Sequence, residues 1–214
     1  MRASNIDDAM TVSSSLDQDV KLIKSKVIAP ADNQPFVQQE LAIYLQDREL
    51  LSHLSFHLDP VNQTLSSIST PRMVPWATAE LAPWLLDETS PRSLHQVGGM
   101  IRQYIELAKM RSSCWTQCLT KLPDLASPHS IDQVHLGVAK APLKANFRWR
   151  LITGRDDEVE SSLSVEAEIP SLWRRLDASR DWERIDEAFE GLILKRGVTG
   201  AIMAMVELLF STES

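Results

Sequence analysis

The chain has 214 residues, 43% hydrophobic and 24% charged, with 22 Lys and Arg against 29 Asp and Glu for a net charge of −7. That composition belongs to folded globular proteins and excludes intrinsic disorder as the main state. The acidic balance holds on both sides of position 130 (11 basic and 14 acidic residues before it, 11 and 15 after it), which disfavours nucleic acid as a partner, because such surfaces are cationic.

The first element predicted is an amphipathic helix over about residues 7–28, with Val12, Leu16, Val20, Ile23 and Val27 spaced by four and three. A second helix is expected after Pro35, where a proline suits the first turn. Its stripe runs through Val37, Leu41, Tyr44, Leu51 and Leu58, and Pro60 closes it. The pair reads as a helical hairpin. Residues 60–75, framed by Pro60, Pro71 and Pro75 and rich in Ser and Thr, read as a loop. A short helix over about 76–87 carries Trp76 and Trp84. The clearest helix covers about 93–122, where Val97, Ile101, Tyr104, Ala108, Arg111, Trp115, Cys118 and Leu122 form one four-three seam. Pro123 and Pro128 then open a connector.

The periodicity changes near residue 131. Val134 and Leu136, then Leu143, Ala145, Phe147, Trp149 and Leu151, then Val159, Leu163, Val165, Ala167 and Ile169 follow a period of two. That is the pattern of half-buried antiparallel strands, with a turn over residues 153–157 and an alignment that can set Arg150 opposite Glu160. Pro170 ends the sheet. Two helices are expected after it, about 179–196 with Trp182 and Phe189, and about 199–210, which is apolar almost all round. Such a helix needs a cover. The predicted fold class is therefore α+β: an N-terminal antiparallel helical region (1–125), followed by a small α+β domain (126–214) with about three strands packed by two C-terminal helices.

No apolar run reaches the roughly 18 residues of a membrane span, so no membrane partner is expected. No signal-peptide pattern is visible beside Asp7 and Asp8. Two cysteines do not make a disulfide framework, and an intracellular location, nucleus or cytoplasm, is expected. In that setting Asn62-Gln63-Thr64 reads as a loop tripeptide rather than a glycosylation site.

Candidate sites are sparse. His53 and His57, and Cys114 and Cys118, have the i, i+4 spacing of a helix face and together would make a tetrahedral zinc set if their helices met in register. Cys114 with His95 or His129 is a conceivable nucleophile pair, with Glu106 nearby in sequence. Asp156, Asp157, Glu158 and Glu160 form an acidic run without calcium-loop spacing. Arg148, Arg150, Arg155, Arg174 and Arg175 would form a basic patch if the fold gathered them. The chain has no Gly-rich phosphate loop, no Gly-x-Ser-x-Gly and no dinucleotide fingerprint, so no cofactor is expected. Trp76 and Trp84 in short Pro-bounded segments, Leu16, Val20 and Ile23 on the first stripe, and Phe210 at the end of the apolar helix are the candidate interface residues.

From about residue 92, the order is long helix, three antiparallel strands, proline and two helices. The strands at 143–151 and 159–169, Pro170, and the helices ending at Arg196 and Phe210 resemble an RWD-type α+β domain, the fold of several kinetochore subunits. The likeness covers about half the chain. It implies a non-catalytic protein-binding module, often in heterodimers, and by analogy a role in chromosome segregation. The expected function is an interaction subunit of a larger intracellular assembly, hetero- or homo-oligomeric. The alternatives are a small-molecule enzyme with a scattered site and a metal-binding regulator.

Overall fold

The segment Leu54-Ser55-Phe56-His57-Leu58 sets the architecture of the first half. Leu54, Phe56 and Leu58 are buried, while His53, Ser55 and His57 are half-exposed. This is the alternation of a strand, whose successive side chains point to opposite faces. The computed structural model describes residues 20–28, 36–45, 49–59, 61–87, 92–124, 126–130, 132–137, 143–153, 158–171, 175 and 184–210.

Among these residues lie nine strands and three helices. The strands are β1 (Val20–Ile28), β2 (Phe36–Leu45), β3 (Glu49–Leu58), β4 (Thr64–Met73), β5 (Arg92–Ser93), β6 (Ala126–Ser130), β7 (Gln133–Leu136), β8 (Lys144–Thr153) and β9 (Val159–Glu168). The helices are α1 (Pro75–Leu85), α2 (Leu94–Lys121) and α3 (Ile185–Phe210). Strands β1 to β5 form one sheet in chain order, and β6 to β9 form another. Neighbouring strands from β1 to β5 and from β6 to β8 pair antiparallel. No described helix is long and apolar enough to cross a membrane.

The expected N-terminal helical region is therefore corrected. Val20 to Ile28 is strand; positions 7–19 of the predicted first helix, with Val12 and Leu16, lie outside the described residues. The second predicted helix is β2 and β3, paired from Val37↔Leu58 to Leu45↔Glu49. The predicted loop at 60–75 is largely β4. The misreading has a physical origin in two register irregularities, between Leu22 and Lys24 in β1 and between Ile43 and Tyr44 in β2. A bulge inserts one residue and shifts the phase of alternation. In β1, Val20, Leu22, Ser25 and Val27 pair with Ile43, Leu41, Gln39 and Val37, a spacing of two, three and two. Such a spacing mixes with neighbouring apolar residues to imitate a helical stripe. In β4, the unusual backbone of Ser67 (φ 50°) similarly breaks any clean pattern.

The β3–β4 loop is built around Asp59. Its carboxylate accepts hydrogen bonds from the backbone N–H of Val61 (2.8 Å) and Asn62 (3.2 Å) and from the Asn62 amide (2.8 Å). These donors hold the Asp59 carboxyl below the usual carboxylate range, the Val61 N–H contributing most. The Asn62 sequon thus forms this exposed turn.

Helix α2 follows its prediction closely. Seven of the eight seam positions are buried, Val97 through Cys118, with Leu122 half-buried. Its start is a reciprocal capping box: Gln96 N–H donates to Ser93 Oγ (3.2 Å), and Ser93 N–H donates to Gln96 Oε1 (2.8 Å). The second sheet has four described strands where three were expected. The added one, β6, contains Pro128 and lacks apolar alternation, which an outer strand tolerates. Helix α3 is broken at Gly197, whose φ of 69° and ψ of 173° suit glycine. That break matches the expected division between two C-terminal helices.

The chain divides into two compact units, Met1–Lys109 with Leu151–Glu160, and Met110–Arg150 with Ser161–Ser214. The first buries Ile43, Leu54, Phe56, Leu81, Leu85, Met100 and Tyr104. The second buries Arg111, Cys118, Val134, Leu136, Phe147, Phe189, Ile202 and Met205, and Phe147 meets Phe189 edge to face at 5.3 Å.

The strand assignment of β3 makes a direct prediction. Phe56→Ala removes a fully buried ring and is expected to cost about 3–5 kcal/mol. Ser55→Thr next to it should stay within about 0.5 kcal/mol. Denaturant unfolding of both variants checks this; equal losses at the two positions would contradict the alternation.

Candidate functional site

Three polar clusters and two strand edges carry the chemistry of the described residues. The first cluster is in the first unit and centres on Glu80 of α1. Its carboxylate accepts hydrogen bonds from Tyr104 Oη (2.8 Å) and from the backbone N–H of Leu151 (3.1 Å), while Thr153 Oγ1 donates to the Glu80 carbonyl (3.3 Å). Trp76 stacks on Tyr104 with centroids 6.4 Å apart. Glu80 thus joins α1, α2 and the end of β8 through one anion, whose charge strengthens each bond.

The second cluster surrounds Arg92, which is buried. Its guanidinium lies 4.3 Å from the Trp84 ring centroid and donates to the carbonyls of Asp87 (3.0 Å) and Leu85 (3.5 Å), with the Asp87 carboxylate 3.7 Å away. These contacts cap the end of α1, where carbonyls lack helical partners. Of the two tryptophans considered for an interface, Trp84 is therefore 6% exposed, and Trp76 is half-buried against Tyr104.

The third cluster is in the second unit. Arg111, fully buried on α2, donates from Nη1 to the Trp149 carbonyl (2.9 Å), and Trp115 meets Trp149 edge to face at 6.1 Å. One turn along, Cys114 and Cys118 are both buried and free. The Cys118 thiol and the Thr199 hydroxyl (3.4 Å) both donate to Cys114 Sγ. The Cys118 bond is the main cause that lowers the Cys114 thiol from 9.0 to about 7, against the effect of burial. The same hydrogen bond, with burial, pushes Cys118 upward.

The remaining candidates fall as follows. His53 and His57 are half-buried on β3, opposite Ala42 and Gln38 of β2. No three His, Cys, Asp or Glu side chains gather as metal ligands among the described residues. His95 is exposed in the first turn of α2, and exposed Glu106 pairs with Lys109 at 3.8 Å. His129 is on β6, and its side chain lies outside the described set, as do Asp156, Asp157, Arg155 and Arg174. Arg148, with the Gln133 amide oriented to accept, donates to it from Nε (2.8 Å) and Nη2 (2.6 Å). Arg150 and Arg175 are exposed. Between β8 and β9, Lys144 pairs with Glu168 at 3.4 Å. Leu16 lies outside the described residues, Val20 and Ile23 are backbone positions of β1, and Phe210 is half-buried at the end of α3.

The outermost strands are β1 and β5 in the first sheet and β6 and β9 in the second; of these, β1 and β9 are the long ones, nine and ten residues against two for β5 and five for β6. An outer strand presents N–H and C=O groups to whatever lies beside it. In β9, the Val159 N–H donates to Gln103 Oε1 (3.1 Å) and the Val165 N–H to Asp186 Oδ1 (3.4 Å). Side chains take these amides in place of a neighbouring strand. The alternation of β9 was readable in the sequence, but its outer position was not. The basic edge β1 was concealed by its helical reading.

No protein-family model and no curated protein matches this chain.

Two predictions follow from the buried clusters. Glu80→Ala strips the acceptor from Tyr104 Oη and the Leu151 amide and is expected to destabilise by about 1–3 kcal/mol, measured by chemical unfolding. In the thiol pair, the folded state releases its first proton near pH 7, whereas unfolded thiols titrate near 9. Between those values the unfolded state binds more protons, so stability rises with pH. Above about 9 the folded state retains the Cys118 proton, and stability falls. The stability difference between the native chain and a Cys114→Ala/Cys118→Ala variant should therefore peak near pH 9, on the order of 1 kcal/mol. A pH-independent difference in melting scans would contradict this assignment.

Proposed function

We propose that this protein is a non-catalytic interaction subunit of a larger assembly, with an RWD-like α+β module in its C-terminal half. The observation that carries the reading is where its polar groups are used. Glu80, Arg92 and Arg111 are engaged with backbone amides and carbonyls, a framework role, while the hydrogen-bonding edges of β1 and β9 lie at the outside of their sheets.

The layout supports the RWD-like part. In the C-terminal half, the four-stranded sheet β6–β9 is followed by α3, which is broken at Gly197. Large apolar side chains at the surface, Leu194 at 89% and Val61 at 72% exposure, add to the case for association, although scattered exposed apolar residues are ordinary. The kinetochore subunits that use this fold make chromosome segregation the assembly class to test, by analogy of layout.

Affinity capture of the full chain under native conditions, with chemical cross-linking and mass spectrometry, tests the reading. It should recover a stoichiometric protein assembly with cross-links near the strand edges. Recovery of the chain alone, together with turnover of a small molecule by the pure protein, would overturn it.

A further inference from the structure

We propose that β1 of one copy of this chain adds to β9 of a second copy, extending the β6–β9 sheet by one strand in a head-to-tail contact. This deepens the interaction-subunit reading and rests on it. Both strands are outermost in their sheets, and they are nine and ten residues long.

The geometry of β9 marks which of its amides face outward. Val159 and Val165 are an even number of residues apart, so their N–H groups point to one side. Both reach side chains, Gln103 and Asp186. Ser161 and Leu163 between them have the same parity and direct their amides to that same edge. Among the described residues, no strand pairs there.

Charge selects the occupant. The register sets positions 21, 24 and 26 of β1 opposite Ala42, Glu40 and Gln38, alternate positions of β2. Lys24 and Lys26 are exposed and, two residues apart, share one face of this edge strand. On β9, Glu160, Glu166 and Glu168 share a face and are exposed. The pairs these groups already make, Lys24 with Glu40 and Lys144 with Glu168, are solvent-exposed, at 59%/36% and 61%/75% side-chain exposure, and such pairs hold weakly. Two copies of β9 side by side would oppose like charges, as would two copies of β1, which disfavours symmetric pairing. The mixed pair satisfies both edges. A heterologous contact of this kind closes into rings or propagates as a chain of copies.

Sedimentation velocity over a range of concentrations tests the proposal. The native chain should show a mean mass above the 24.1 kDa monomer that rises with concentration. Raising salt to about 0.5 M, where screening acts within a few ångströms, should weaken association by about tenfold. A chain with Glu160→Lys, Glu166→Lys and Glu168→Lys should be monomeric, as should one with Lys21→Glu, Lys24→Glu and Lys26→Glu. An equimolar mixture of the two should recover association, because the β1 of each variant then meets a β9 of opposite charge on the other. Ser161→Pro provides a variant that leaves the charge unchanged. Proline is tolerated where the missing N–H faces away from the sheet, and it should abolish association while circular dichroism stays native. A native chain that is monomeric at every concentration overturns the proposal, as does association indifferent to the charge reversals and to Ser161→Pro. A chain that is monomeric yet bound stoichiometrically to a different protein overturns self-association alone and leaves the interaction-subunit reading standing.

Discussion

A 28-residue helix with one continuous buried stripe is the element on which the remaining structure depends. Helix α2 contributes Val97, Met100, Ile101, Tyr104 and Ala108 to the interior of the first unit and Arg111, Cys114, Trp115 and Cys118 to that of the second. A helix of that length is about 42 Å long, and few isolated helices are stable in water without a packed face. The stripe therefore needs apolar cover, part of which β8 supplies through Trp149, edge to face with Trp115 at 6.1 Å. The capping box at Ser93 and Gln96 fixes where the helix begins, directly after the short strand β5.

The buried polar groups follow the same logic at higher cost. A guanidinium or carboxylate out of water is costly unless it is hydrogen-bonded. Arg111 spends one donor on the Trp149 carbonyl, and Glu80 binds both Tyr104 and the Leu151 amide. These contacts specify which backbone segment lies beside which helix, something apolar packing alone specifies less sharply. The thiol pair of Cys114 and Cys118 adds a titratable element within the same helix, with Thr199 as its third member. The polar groups of the interior are thus directed to positioning one segment against another.

Legibility in the sequence varied with how locally each element is encoded. The α2 seam and the alternation of β8 and β9 were readable because their spacing is regular over many residues, and Gly197 marked the break in α3. In β1 to β4 the alternation is interrupted by the irregularities near Ile23 and Ile43 and at Ser67, and consecutive apolar residues such as Leu50-Leu51 and Leu41-Ala42-Ile43 fill the gaps. A stripe of threes and fours can be drawn through such a segment although its chain is extended. Of the candidate sites, the histidine pair changed element type altogether. The cysteine pair stayed on its helix but acquired Thr199, 85 residues away, a partner that no local motif announces.

The amino-acid sequence by itself determined an acidic chain with ample apolar content, a long amphipathic helix, an alternating pair of strands and a glycine-broken final helix. Each of these is written in the spacing of neighbouring residues. The tertiary structure alone decided that the first half is sheet, that Arg111 and Glu80 bind backbone, and that a basic strand and an acidic strand lie at the outer edges. Strand order, register and burial depend on partners dozens of residues distant, and the free energy that selects them comes from packing across that distance, not from the periodicity of any one segment.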